Sequence, residues 1–329
     1  MTMAVAIWAG FVLLILALLA LDLGVLNKHD HAIGFRESVR WTAFWVAISA
    51  LFMVAVWTIY RFHWGGFGLK PGPESTAPDA VMSYLAGYLL EYSLSVDNIF
   101  VIALLIRTFQ VPENMQHRVL FWGILGALLL RGLMIGGGAL LVHRFGWMMY
   151  VFGGILLLTS VKMALDKEDD PKDIADSWVI RLVRRFYAVT PDYRGHKFFD
   201  TFEGRHAVTP LFVVLLMVET TDVLFAVDSI PAVFAVTQDP FLVFTSNVFA
   251  ILGLRSLYFA IAGLLRLFRF LKASLVVLLA FIGLKMLAKD YVHIQSSWSL
   301  LAIVAILGAG VAASLRWPEV NVRQEENSK

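Results

Sequence analysis

Nine runs of predominantly apolar residues follow one another along the chain, near 4–26, 41–60, 80–106, 119–142, 147–165, 208–236, 241–264, 272–290 and 298–315. A run of about 20 such residues spans the ~30 Å hydrocarbon core of a bilayer as an α-helix. In lipid each backbone N–H and C=O has to be paired within the spanning structure, which leaves helices or closed barrels. A barrel would read as ~10-residue segments of alternating hydrophobicity, and these runs are too long and do not alternate. The composition agrees, with 59% hydrophobic and 16% charged residues in 329, against about 45–50% and about 25% in soluble domains. The expected fold class is therefore an all-α polytopic membrane protein with about nine transmembrane helices.

Several function classes fall away. A net charge of +2, with no basic block interleaved with aromatics, gives nucleic acid nothing to bind. The absence of cysteine removes disulfides, thiolate metal sites and thiol redox relays. No G-x-x-x-x-G-K-[ST] occurs, and no nucleophile and base pair or soluble catalytic domain can be pointed to, so no enzyme is expected. Residues 1–6 carry no basic residue ahead of the first apolar run, so that run reads as a retained span rather than a cleaved signal.

Lysine and arginine set an orientation. Alternate loops and the tail on one side collect 19 basic residues, whereas the other side has 4, namely Arg61, Lys70, Arg144 and Lys289. Basic loops stay in the cytoplasm, which places the N-terminus outside and the C-terminus inside. The longest hydrophilic stretch, 166–207, is then cytoplasmic. In it Trp178, Leu182, Val183 and Phe186 recur at helical spacing beside Arg181, Arg184 and Arg185, as in a short amphipathic helix lying on the inner leaflet; a solvated linker is the plainer alternative.

An internal repeat narrows the architecture further. Glu91-Tyr-Ser-Leu-Ser-Val-Asp97-Asn98-Ile aligns without a gap with Asp222-Val-Leu-Phe-Ala-Val-Asp228-Ser229-Ile. Downstream, Arg131 pairs with Arg255, and Val-Lys162-Met with Leu-Lys285-Met. Each copy holds three spans, an odd number, so the second copy must cross the membrane in the opposite sense, which is a transporter architecture. The expected organisation is two N-terminal helices over 1–79, repeat 1 over 80–165, the linker over 166–207, inverted repeat 2 over 208–290, and a last helix with a cytoplasmic tail over 291–329.

Five acids fall inside these spans: Glu91, Asp97, Glu219, Asp222 and Asp228. Each ionised acid at a helix centre costs roughly 2.5–3.5 kcal/mol on insertion scales, so each must face a partner or a polar cavity. Arg131 and Arg255, near mid-span, are expected to pair with the acids and hold the site in register. Two arginines cannot neutralise five carboxylates, and the excess calls for a cation. Six residues turn a helix by about 240°, so the acids of one pair either flank a broken helix or serve two levels of a pathway. Pro231, three residues past Asp228, marks the candidate break. Asn98, Ser229 and Asn247 add neutral oxygens. Lys162, Lys285 and Asp22 lie near span ends, where an interfacial position accounts for them. The Gly132–Gly136 pair and Gly136-Gly-Gly138 let another helix approach closely.

Carboxylate and amide oxygens suit manganese, magnesium or calcium, and all eight histidines lie in loops or at span ends, which serves zinc poorly. The residues themselves do not choose among the three. No tightly bound cofactor is expected; the metal is substrate.

The same stretches carry a resemblance. Glu-Tyr-Ser-Leu-Ser-Val-Asp-Asn-Ile-Phe at 91–100, Glu-Thr-Thr-Asp-Val-Leu-Phe-Ala-Val-Asp-Ser-Ile-Pro-Ala at 219–232 and Thr-Ser-Asn-Val-Phe-Ala-Ile-Leu-Gly-Leu-Arg at 245–255 resemble the signature stretches of the TerC family of integral membrane proteins, closest to its Alx branch. The resemblance implies a multi-pass protein of the bacterial inner membrane, linked to manganese export and, historically, to tellurium resistance. It implies a metal pathway of Glu91, Asp97, Asn98, Asp222, Asp228 and Ser229, with Glu219 and Asn247 as further candidates. The expected function is export of divalent cations, manganese foremost, in exchange for protons. The alternative is a membrane factor that senses metal or delivers it to partner proteins without transporting it.

Overall fold

The computed structural model describes residues 2–26, 35–69, 74–165, 178–202, 204–262, 270–291 and 296–316. Eleven α-helices and one small sheet fall within them. The helices are α1 (Thr2–Leu26), α2 (Phe35–Arg61), α3 (Ala77–Thr108), α4 (Glu113–Arg144), α5 (Met148–Leu165), α6 (Trp178–Phe186), α7 (Pro210–Phe234), α8 (Pro240–Leu252), α9 (Leu254–Ala262), α10 (Leu271–Leu287) and α11 (Ser296–Arg316). The chain is thus a mostly helical, multi-pass membrane protein. Seven helices are long and apolar enough to cross a membrane: α1 to α5, α7 and α11. The remaining two expected spans also fall on helix, but 241–264 is divided at Gly253 into α8 and α9, and α10 is 17 residues long.

Two of these helices begin where their capping residues dictate. Thr76 accepts from the Asp79 N–H at 3.3 Å with Pro78 in the first turn, and Asp239 accepts from the Phe241 N–H at 2.9 Å with Pro240 as first residue. Proline at that position loses no hydrogen bond, because the first N–H groups of a helix are unpaired anyway. The break expected at Pro231 does not occur. Helix α7 runs through it to Phe234, and the Ala235 N–H still reaches the Pro231 carbonyl at 3.0 Å. The missing proline N–H removes one bond, to Val227, and the well-packed end of α7 tolerates that loss.

Packing follows the lipid-facing logic. Leu13, Leu51, Leu133, Leu158 and Leu284 point outward and stay exposed, while small residues sit where helices touch. The most extensive pair is α5 with α10. A Cβ on Gly153 would lie 3.1 Å from the Gly283 carbonyl, and one on Gly283 would lie 3.0 Å from the Gly153 carbonyl. About two turns away, the Ser160 hydroxyl donates to the Val276 carbonyl at 3.0 Å. Contacts of 153 with 283 and 160 with 276 make the pair antiparallel. Around it, Leu156, Leu278, Leu279, Ile282 and Met286 fill one core. An aromatic core of Phe11, Phe52, Tyr84, Phe241 and Phe249 joins α1, α2, α3 and α8.

The stretch 178–209 is more than a linker. Strands β1 (Ala188–Val189), β2 (Phe199–Phe202) and β3 (Arg205–Val208) form a sheet ordered β1-β3-β2, in which β2 and β3 are an antiparallel hairpin. Its two-residue loop ends in Gly204 at φ 75°, a conformation that glycine adopts without strain. The sheet corrects the expectation of helix alone outside the loops. The buried face of α6 also differs from the expected stripe. Ile180 and Val183 enter a core with Ile106, Met115, Val208 and Leu211, whereas Leu182 and Phe186 are exposed. Tyr193 donates to the Phe109 carbonyl at 2.7 Å, which ties the segment to the end of α3.

Candidate functional site

The site is organised by α4. Arg131, 1% exposed, projects between α3, α7 and α8. Its Nε donates to Asp222 Oδ2 at 3.1 Å and its Nη2 to Asp222 Oδ1 at 2.7 Å, the bidentate fork in which guanidinium matches carboxylate. Its Nη1 faces three oxygens, Glu91 Oε1, Ser229 Oγ and Asn247 Oδ1, the last two at 3.3 Å. Glu91, fully buried, also accepts from Ser95 at 3.0 Å. Glu91 and Asp222, which head the two similar sequence stretches, therefore meet on one cation.

Buried ions are costly unless their remaining valences are filled, and here several are not. Glu91 Oε2, Asn98 Oδ1, Asn247 Nδ2 and Glu219 Oε2 are buried without a partner. Asn98 lies two helical turns from Glu91 on α3, on nearly the same face. Glu219 packs its carboxylate over Gly126 of α4, in the space a Cβ there would take, so a side chain at 126 would push that carboxylate aside.

The second acid of the α7 pair stands apart. Asp228 accepts from the Thr159 hydroxyl of α5 at 2.7 Å, one face round from Asp222. Because α3 and α7 are continuous helices, the two acids of each pair lie at two levels of one unbroken helix. The structure thus brings together Glu91, Asp222, Ser229, Asn247 and Arg131, with Glu219 at the α4–α7 contact and Asp228 bonded to Thr159 of α5. Asp97 lies on α3 and Arg255 on α9, but their side chains, with those of Asp22, Trp178 and Arg184, lie outside the described ones. Of the lysines, Lys285 donates to Ser299 at 2.7 Å, and Lys162 is exposed. Among the described residues, no group of three or more His, Asp or Glu is close enough to hold a metal ion. The Arg131 guanidinium occupies the place between the two acids.

Sequence reasoning gave Arg131 a supporting part; the structure puts it at the centre of the cluster. Thr159 and Ser95, which hydrogen-bond the acids, were not singled out. Ser95 could have been, since it sits one turn from Glu91 on the same face.

Residues 76–324 match the Integral membrane protein TerC family. The chain belongs to the TerC family. Among its relatives is an uncharacterised membrane protein of Myxococcus xanthus, 47% identical over 94% of this chain and 92% of that one. The Alx protein of Photorhabdus laumondii is 46% identical over 92% of each chain, and that of Escherichia coli K12 is 43% identical over 92% and 91%. The name given to both Alx proteins proposes a membrane-bound redox modulator. No solved structure matches.

Proposed function

We propose that this TerC protein is a secondary transporter that moves divalent cations, manganese foremost, outward across the bacterial inner membrane in exchange for protons. The observation that carries the reading is the convergence of Glu91 and Asp222 on one buried cation, with buried oxygens of Glu91, Asn98 and Glu219 left without partners. The donors are carboxylate, amide and hydroxyl oxygens, the set preferred by manganese, magnesium and calcium.

The inverted repeat has support in packing. The repeat register that aligns Lys162 with Lys285 also aligns 153 with 276 and 160 with 283. Exchanging the two copies turns the contact of Gly153 with Gly283 into a contact of Ser160 with Val276, and both contacts are made. A two-fold axis through the antiparallel α5–α10 pair has that effect. On this reading α8 with α9 forms one span broken at Gly253, and α10, about 25 Å long at 1.5 Å per residue, another, giving nine spans. Discontinuous helices beside a site are a recurrent transporter device.

Proton exchange follows from charge. Driving one positive charge outward against an inside-negative potential costs about 2.3 kcal/mol per 100 mV, and a divalent ion about twice that, so charge must return. Carboxylates that bind a metal give up protons as they do so, and on this reading Asp97 and Asp228 are the shared proton and metal sites. The redox role named for the Alx relatives would have to proceed without thiols, since this chain has no cysteine.

Asp97→Asn and Asp228→Asn test the reading. Each should abolish manganese flux in liposomes while inserting normally, whereas Lys162→Ala should do less. Normal insertion with the parent rate in both Asp variants would overturn it.

A further inference from the structure

We infer that Arg131 is a tethered stand-in for the transported cation: its guanidinium fills the site in the empty carrier and is displaced from Glu91 and Asp222 when the cation binds. The inference rests on the transport reading above and adds how the empty site is handled.

The argument starts from what surrounds the guanidinium. Its donors reach five oxygens: Glu91 Oε1, both carboxylate oxygens of Asp222, Ser229 Oγ and Asn247 Oδ1. Two carboxylates and two neutral oxygens around a single positive centre are also what a hard divalent cation takes. A purely structural arginine would be expected to close the shell it sits in. Here Glu91 Oε2 stays buried and unpaired, and the amide nitrogen of Asn247, a donor, is buried with nothing to donate to. The shell is over-supplied with acceptors for a guanidinium and orients Asn247 by its oxygen alone.

Charge gives the device a purpose. Glu91 and Asp222 with Arg131 carry a net charge of one negative unit; without Arg131 the empty site would carry two, buried among α3, α7 and α8. A divalent cation that displaces the guanidinium brings the two acids to neutrality. Arg131 therefore halves the charge left in the empty site, and burying charge is the main obstacle to its return through the closed carrier. It also competes with the cation, which weakens apparent binding and speeds release.

Three measurements test this. In Arg131→Gln, manganese should bind at least tenfold tighter by titration calorimetry, and isotopic exchange of manganese across liposomes should persist while net efflux falls at least tenfold. Arg131→Lys should lie between Arg131→Gln and the parent. In the parent, independently of how any variant folds, manganese should raise phenylglyoxal modification of Arg131 several-fold, read by peptide mass spectrometry. Unchanged or weaker manganese binding in inserted variants, equal loss of exchange and net efflux, or protection of Arg131 by manganese would each overturn the inference. A parent protein that moves no divalent cation at all would instead remove the transport reading beneath it.

Discussion

Gly153 and Gly154 are neighbours on α5, and the structure assigns opposite signs to the same substitution at each. A Cβ on Gly154 meets nothing within 4 Å, whereas one on Gly153 would sit 3.0 Å from Met286 Cβ and 3.1 Å from both the Gly283 carbonyl and Leu287 Cδ2. Replacing a helical glycine by alanine gains about 1 kcal/mol of backbone propensity, and that gain is common to both sites. At Gly154 nothing opposes it. At Gly153 these contacts are a few tenths of an ångström too short, one of them to backbone, so α5 and α10 must give way along their seam. Overpacking of this kind costs about 1–3 kcal/mol, and in a bilayer close van der Waals fit is the main force holding helices together. Gly153→Ala should therefore be about 1–3 kcal/mol less stable than Gly154→Ala, with Gly154→Ala at or above the parent. Reversible SDS-induced unfolding in mixed micelles reads the difference directly. Stabilities within about 0.5 kcal/mol of each other would refute the close seam and, with it, the packing support for the inverted repeat.

Two further predictions follow from charge. A reporter fused after Lys329 should be cytoplasmic and one in the 65–78 loop external, because basic residues are concentrated in alternate loops; both on one side would break the inverted topology. Glu74, in the loop before α3, is held above the usual carboxylate range chiefly by burial, with the Thr237 hydrogen bond opposing and Asp239 adding to the rise. The folded protein then holds that proton more tightly than the unfolded chain. The destabilising effect of ionisation is absent below the ordinary carboxylate pKa of about 4.3, grows as pH rises towards the raised value, and is complete above it. Glu74→Gln should match the parent near pH 4 and exceed it in unfolding midpoint near pH 8; an advantage that does not change with pH would contradict the assignment.

Much of the fold was legible because bilayer thickness imposes a length on apolar runs. Within the described residues each of the nine runs falls mostly on helix, though 119–142 extends to Glu113–Arg144 and 41–60 to Phe35–Arg61. Helices continue past the apolar core while their polar ends still pair backbone groups, and hydropathy does not register that. The division at Gly253 was hidden inside one apolar run. The proline at 231 marked a candidate break, yet α7 continues through it to Phe234. The hairpin of β2 and β3 carried a signal in Glu203-Gly204 between short alternating segments, obscured by the charge of the surrounding stretch. At the site, the repeat pointed to the acids, but it could not tell that Ser229 and Asn247 would turn to Arg131, since that depends on which faces of α4, α7 and α8 meet.

The most direct test of the account is manganese efflux from liposomes that hold the purified protein and are loaded with the metal. The account predicts efflux above that of protein-free liposomes, faster for manganese than for magnesium or calcium, accelerated by an acidic exterior and accompanied by proton entry into the lumen. Efflux no faster than from protein-free liposomes would contradict transport, and manganese efflux indifferent to the pH gradient, with no proton uptake, would contradict the exchange.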